Sequence, residues 1–404
     1  MSGEKDDPSA EIPVPDSDVA GDGDAPVVRR DAARAASDAA RRKKQIVIGA
    51  AVAAAVLVVA GIAFALTRGG DEPPASTTTS TTTTLATTTT VPIPTGPVAP
   101  LTGVVVDEAD TAAVERLNRP ALVAKVDNAP EAMPQLGMDR ADIVIELKVE
   151  GISRYMAVVH SQDATRVGPI RSARTSDPDL LAMFVRPLVA WSGGNPTVTR
   201  LMNNTPWIQA LNPSQATNAY SRNRAKSAPH NLIVDVPVLY TYADQPPAIP
   251  TPIFGYRVAG SEPVGAPTPG FQLFVGKSPS SWVWSAETGT WLRWANGVRQ
   301  TVEGGPQIAA TNVVVLHTPY EASSADRLSP EARTVGDGAA WVFTDGRVIE
   351  GRWERAEITQ PWKLTDPEGR PILLTPGNTW VELPSPDASP NLIDQSVADG
   401  LLAG

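Results

Sequence analysis

The chain has 404 residues, with 34 Lys plus Arg against 44 Asp plus Glu, a net charge of −10 and no cysteine. That balance excludes a dedicated nucleic-acid binder, which needs a basic face to displace counterions. The missing thiols exclude disulfides, zinc–thiolate sites, Cys nucleophiles and lipid attachment through Cys, and three histidines leave little for a transition-metal cluster, so no metal and no cofactor is expected.

Residues 1–24 carry eight acids and one base. Such a segment buries too little apolar surface to offset its ordering entropy, and residues 1–44 read as a disordered cytoplasmic tail. The sign flips over 29–44, where seven Lys or Arg face two Asp. Residues 45–66 carry no charge. At about 1.5 Å per residue they make a helix of about 33 Å, enough to cross the roughly 30 Å core of a bilayer. A cleaved signal peptide is the alternative, with Ala63-Phe64-Ala65 as its site, but signal apolar regions usually run about 7–15 residues. The Arg42-Lys43-Lys44 flank sets the N-terminus in the cytoplasm. The lipid bilayer is thus the expected partner of 45–66, and everything beyond lies outside the cell. Residues 67–100, rich in Thr and Pro, predict an extracytoplasmic linker with no packed core.

From residue 101 the chain reads as globular, and 101–242 predicts an α+β domain with a mixed sheet. Ala121–Asp127 is an apolar strand, and Asp142–Val149 alternates between two faces. Glu150-Gly151 turns it into Arg154–His160 as an antiparallel hairpin. Asp177-Pro178 and Asn195-Pro196 each predict a helix start, with Asp177 and Asn195 accepting the free amide hydrogens. Leu188–Trp191 and Asn231–Val236 add strands. The Pro/Gly-rich run 243–270 predicts an interdomain linker, and 271–392 a mostly β domain of short strands, among them Ile372–Leu374 and Thr379–Leu383. Asp345-Gly346 marks a tight hairpin turn. Residues 393–404 read as a frayed tail.

The densest polar constellation is Asp127, Asn128, Glu146, Glu150, Arg154, Arg166, Arg171 and Arg174, and all but Arg166 are predicted to line one open cleft. Glu146, Glu150 and Asp127 are the acid–base candidates. Glu146 and Glu150 stand about 13 Å apart on one strand face, wider than the about 5–9.5 Å of a glycosidase pair; structural ion pairing with the arginines is the alternative. Arg154, Arg171 and Arg174, with Asn128 and the Ser192-Gly193-Gly194 turn, are ligand-binding candidates, because guanidinium forks and Gly amides at helix starts hold anions. His230, with Asp235 nearby, reads as a surface or hydrogen-bonded imidazole or as a general base. Trp282, Trp284, Trp291 and Trp294 read as core filler or as a sugar-stacking platform.

Many short pieces carry a resemblance. They include Arg119-Pro120, Val126-Asp127-Asn128, Val149-Glu150-Gly151, Arg154-Tyr155-Met156 and the run from Val167 to Arg174. Trp341 to Gly346, Gly351-x-Trp353 and Pro376 to Trp380 continue it. In their order and spacing, over about residues 100–385, the chain resembles the YerB-like family of bacterial exported proteins, the DUF3048 domain. The resemblance implies a two-domain, mixed α+β envelope protein whose activity is not established. Several relatives look like Cys-anchored lipoproteins; this chain has no Cys, so its apolar helix takes the anchor's place. The leading expectation is a membrane-anchored extracytoplasmic protein that binds cell-wall polymer or an envelope-synthesis partner, and no nucleic acid. The alternative is an enzyme acting on cell-wall glycan or phosphate-linked polymer, with a Glu/Asp acid–base group and an Arg clamp.

Overall fold

Several strands of this chain are buried at every position, and a strand of that kind needs cover on both faces. The computed structural model, which describes residues 96–404, supplies that cover. The tail, the apolar segment 45–66 and most of the Thr/Pro-rich linker lie outside the described residues. No helix among the described residues is long and apolar enough to cross a membrane.

Thirteen principal strands run in chain order as β1 (Leu122–Val126), β2 (Ile143–Lys148), β3 (Ser153–Val159), β4 (Leu188–Ala190), β5 (Gln209–Leu211), β6 (Gly270–Val275), β7 (Ser278–Ser285), β8 (Thr290–Ala295), β9 (Asn312–Leu316), β10 (Gly336–Thr344), β11 (Arg347–Arg355), β12 (Lys363–Thr365) and β13 (Thr379–Leu383). The main sheet has the order β12-β11-β10-β9-β13-β2-β3-β1-β4-β5. A second sheet is built on β8-β7-β6. With few and short helices, the class is α+β.

The expected hairpin forms: β2 and β3 pair antiparallel, and Gly151, at φ +76°, makes the turn. Asn195 caps the Pro196–Asn204 helix by accepting the Val198 amide at 2.9 Å. The Asp345-Gly346 turn joins β10 to β11, both residues in the left-handed region. Three local expectations are corrected. Asp177 does not cap its helix, Ser176–Leu181; it lies within the first turn and its side chain binds Lys125 instead. Ile372–Leu374 makes only an isolated bridge to Tyr256. Residues 393–404 hold a helix, Gln395–Ala403, whose Ala398 packs with Val283, Trp294 and Ile393 against the second sheet. Small apolar residues at helical spacing outweighed the tail composition.

The sequence regions before and after 243–270 share one sheet. β13, near the end of the globular region, is inserted between β2 and β9 and runs parallel to both. The intervening segment packs on the second region: Ile253 and Phe254 are buried, and the Arg257 amide donates to Leu374 O at 2.9 Å. One face of the main sheet, carrying Leu122, Ala124, Val126, Val144 and Trp380, packs on Phe271, Leu273, Trp282 and Trp291 of the second sheet. The other face, with Val123, Ile143, Ile145 and Val158, is covered by Leu180 and Leu181 of the Ser176–Leu181 helix, Phe184 of the short turn that follows it, and Val198 and Met202 of the Pro196–Asn204 helix.

Removing residues 1–270 would therefore strip β13 of its β2 partner and expose one apolar face. A fragment 271–404 is expected to lack a cooperative thermal transition. Limited proteolysis of the full chain should cut within the exposed stretch 258–264, and the two pieces should co-elute under native conditions.

Candidate functional site

Strand alternation divides the polar constellation between the two sheet faces. Val126 lies opposite Tyr155 in the β1–β3 pairing, so Asp127 continues opposite Arg154. Lys125, Asp127 and Arg154 therefore share the helix-covered face, whereas Asn128, Glu146 and Tyr155 point toward the second sheet.

On that second side the polar groups close on themselves. Arg293 of β8, 1% exposed, donates through Nη2 to Glu146 Oε2 at 2.6 Å. Ser153 Oγ donates to the other Glu146 oxygen and accepts from Asn128 Nδ2 at 2.7 Å, and Tyr155 donates to Asn128 Oδ1 at 2.6 Å. Gln300 accepts from Arg293 and donates to Gln135 Oε1 at 3.1 Å. Glu382 of β13 lies opposite Glu146 and 3.9 Å from Arg293, and accepts from Trp282 Nε1 at 2.9 Å. Burial, then the Glu146 charge, pushes the Glu382 carboxyl well above the usual range. The Arg293 guanidinium lies 4.6 Å from the Trp380 ring centroid and 5.4 Å from that of Trp282.

This corrects two expectations. Glu146 and Asn128 do not reach an open cleft; they belong to a buried polar core that joins the two sequence regions. The tryptophans do not form an open platform. Trp282 and Trp291 are fully buried, Trp294 is 3% exposed beneath the C-terminal helix, and Trp284 packs against Trp291. Three of the four rings are covered, by the main sheet or by the C-terminal helix, and only Trp284 is partly exposed, so they present no row of rings on which a sugar could stack.

The helix-covered side is different. The buried pair Lys125–Asp177, at 2.6 Å, pins the start of the Ser176–Leu181 helix to β1. Burial lowers the Lys125 ammonium to about 8 despite that partner. The segment 171–174 is thereby drawn across the carboxyl ends of the parallel strands β1 and β4, a position where ligands collect in open sheets. Arg171 N donates to Lys125 O at 2.8 Å, and Ala173 N to Gly193 O at 3.1 Å, so the Ser192-Gly193-Gly194 turn runs beside it. Gly193, at φ +95°, is required there, since a Cβ would come within 2.7 Å of Ser172 Oγ.

Around this crossing the arginines are unequal. Arg174 is fully engaged: it grips Glu150 with two hydrogen bonds of 2.7 and 2.6 Å, and Ser329 donates to the same carboxylate. Partial burial raises the Glu150 carboxyl, but the bonds from Arg174 and Ser329 outweigh it and hold it at about 2. Both residues border a cleft of about 290 Å³ that Ser172, Gly194, Asn195 and Ser323 also line. Arg171 lies 3.0 Å from Asp127 Oδ2 through Nε. Arg154, only 5% exposed, makes among the described residues a single long bond of 3.4 Å to Ser172 O, and its Nε has no partner there. Burial, then the charges of Arg174 and Arg171, brings the Arg154 guanidinium down to about 10.

His230 joins the site unforeseen. Its Nδ1 lies 2.7 Å from Asp127 Oδ2, not near Asp235, whose side chain caps the Val236–Tyr240 helix. The two residues are separated by 103 positions, and no local spacing signals the contact. Arg293 was also missed. Its signal was available as a single charge in the apolar strand Thr290–Ala295, as Glu382 is in Thr379–Leu383.

Two family models match the chain, the N-terminal domain of the protein of unknown function DUF3048 over residues 101–248 and its C-terminal domain over 271–381. The chain belongs to the DUF3048 family. It is 28% identical over 316 residues to the "Putative lipoprotein YerB" of Bacillus subtilis (strain 168), a match that takes in 72% of this chain and 87% of that protein. The crystal structure of YerB from Bacillus subtilis shares the fold, with a TM-score of 0.63 at 23% identity over 73% of this chain and 99% of the other. The family is described as one of unknown function, so the reading of this DUF3048 chain rests on its own geometry.

If the Glu146–Arg293 pair is the structural join described above, Glu146→Ala leaves a buried guanidinium without its close partner. The variant should lose about 3–5 kcal/mol of stability in chemical denaturation. Glu150→Ala, at a half-exposed rim position, should change it by less than about 1 kcal/mol.

Proposed function

We propose that this DUF3048 protein is held at the cell membrane by residues 45–66 and presents residues 96–404 outside the cell, where the crossing of segment 171–174 binds an anionic group of the cell envelope. Arg154 carries the reading. A buried guanidinium with one long hydrogen bond, near Arg174 and Arg171 as well as Asp127 and Glu150 but in ion-pair contact with neither carboxylate among the described residues, has donors free for an anion. Arg171 extends the same positive surface, since among the described residues its two Nη atoms make no hydrogen bond and are not buried. The envelope location is supported by the uncharged 22-residue run with its basic flank and by the similarity to a protein named as a lipoprotein. A phosphate-bearing wall polymer, a lipid-linked phosphate or a peptide carboxylate has the chemistry this site accepts.

Binding of full-length protein to purified cell-wall fragments tests the site. Binding should weaken as salt rises from low to physiological, and Arg171→Ala should weaken it by about 10- to 100-fold, the worth of a charged hydrogen bond. Salt-independent binding, or an undiminished variant, would contradict the reading. Topology has its own measurement. Protease added to permeabilised-wall cells should digest the chain beyond Thr77 and spare residues 1–44; protection of the C-terminal region would place it in the cytosol instead.

A further inference from the structure

Asp127 is 0% exposed, and one of its oxygens, Oδ2, meets both His230 Nδ1 at 2.7 Å and Arg171 Nε at 3.0 Å. Its other oxygen accepts the Ala129 amide at 3.2 Å. A carboxylate held on these sides can only accept, so Nδ1 of His230 carries a proton and, in the neutral ring, Nε2 bears the lone pair. The His230 side chain is 19% exposed, and among the described residues Nε2 has no hydrogen-bond partner and is not buried. An imidazole oriented by a buried carboxylate, with its second nitrogen open to solvent, is the arrangement of a general base. The Nη atoms of Arg171, unpaired among the described residues, belong to the guanidinium that meets this carboxylate, and Arg154 stands across the β1–β3 pairing on the same sheet face, so that both could hold an anionic phosphate at this site.

We propose that this site hydrolyses a phosphodiester, with His230 as general base, Asp127 as its positioning residue, and Arg171 and Arg154 as the clamp on the non-bridging phosphate oxygens. Phosphate is favoured over carboxylate because two guanidiniums stand on the same face as Asp127, and a phosphodiester offers two equivalent non-bridging oxygens to them. In the reaction Nε2 removes a proton from water, and the water oxygen forms a new bond to phosphorus. The bond from phosphorus to the leaving alcohol oxygen breaks, and the imidazolium returns the proton to that oxygen. The products are a phosphomonoester and an alcohol, with no oxidant or reductant needed. The inference rests on the anion-binding reading of the same site and adds chemistry to it.

The experiment uses detergent-solubilised full-length protein and bis(p-nitrophenyl) phosphate, with inorganic phosphate as competitor. The parent should release p-nitrophenol and be inhibited by phosphate. His230→Gln should lower kcat by about 100-fold or more with little change in KM, in keeping with general-base catalysis. His230→Ala should regain part of the rate with added imidazole, which separates lost chemistry from lost folding. Asp127→Asn should lower kcat while leaving phosphate inhibition intact, and Arg171→Lys should raise KM. Poly(glycerol phosphate) and phosphatidylglycerol vesicles, assayed for new phosphomonoester, then distinguish a wall from a lipid source. Phosphate binding without turnover by the parent, or a His230→Gln variant as active as the parent, would overturn the catalytic proposal and leave the binding reading standing. Neither binding nor turnover would overturn both.

Discussion

One guanidinium between two sheets organises this molecule. Arg293 crosses from the second sheet to Glu146 on the main sheet, with Glu382 on the neighbouring strand and three aromatic rings, Tyr155, Trp282 and Trp380, around it. A buried cation is costly without a close anion, and two buried carboxylates on adjacent strands repel unless one is neutral. Both demands are met only when β2, β8 and β13 come together. The interaction therefore selects the arrangement in which the last main-sheet strand is inserted beside the second, across more than two hundred residues of chain.

The same sheet presents its opposite face to different consequences. There Lys125 and Asp177 neutralise each other and tie a helix to β1. The residues just before that helix are thereby stretched over the strand ends. Glu150 satisfies Arg174, and Asp127 takes His230 and Arg171, but among the described residues Arg154 is left with donors to spare. The inner face has its charges closed off and acts as a join. The outer face has a surplus of positive charge near solvent, which is where a ligand can act.

Much of this was legible in the residues. The β2–β3 hairpin, the Asn195 cap and the Asp345-Gly346 turn each depend on neighbours a few positions apart, and each forms as read. The cluster around residues 127–174 was also legible as polar, yet its division was not. Asp127 and Asn128 are adjacent in sequence and point to opposite sheet faces, so proximity in the chain grouped residues that alternation separates. The contacts that give the site its character, His230 to Asp127 and Arg293 to Glu146, span 103 and 147 positions. Only the oddity of one charge in an otherwise apolar strand, as at Arg293, Glu382 and Lys125, hinted that such partners existed. The tryptophans misled for a related reason: alternation along a strand shows which rings share a face, and not which face meets water.

Nitrogen-detected magnetic resonance of arginine side chains, on full-length protein labelled with ¹⁵N-arginine and titrated with inorganic phosphate, reads the site most directly. The account predicts saturable shifts of the Arg154 and Arg171 Nε resonances, assigned through Arg→Lys variants, while Arg293 in its buried cage stays unmoved. An Arg154 resonance indifferent to phosphate, or shifts no larger than those of exposed arginines such as Arg327 and Arg370, would contradict it.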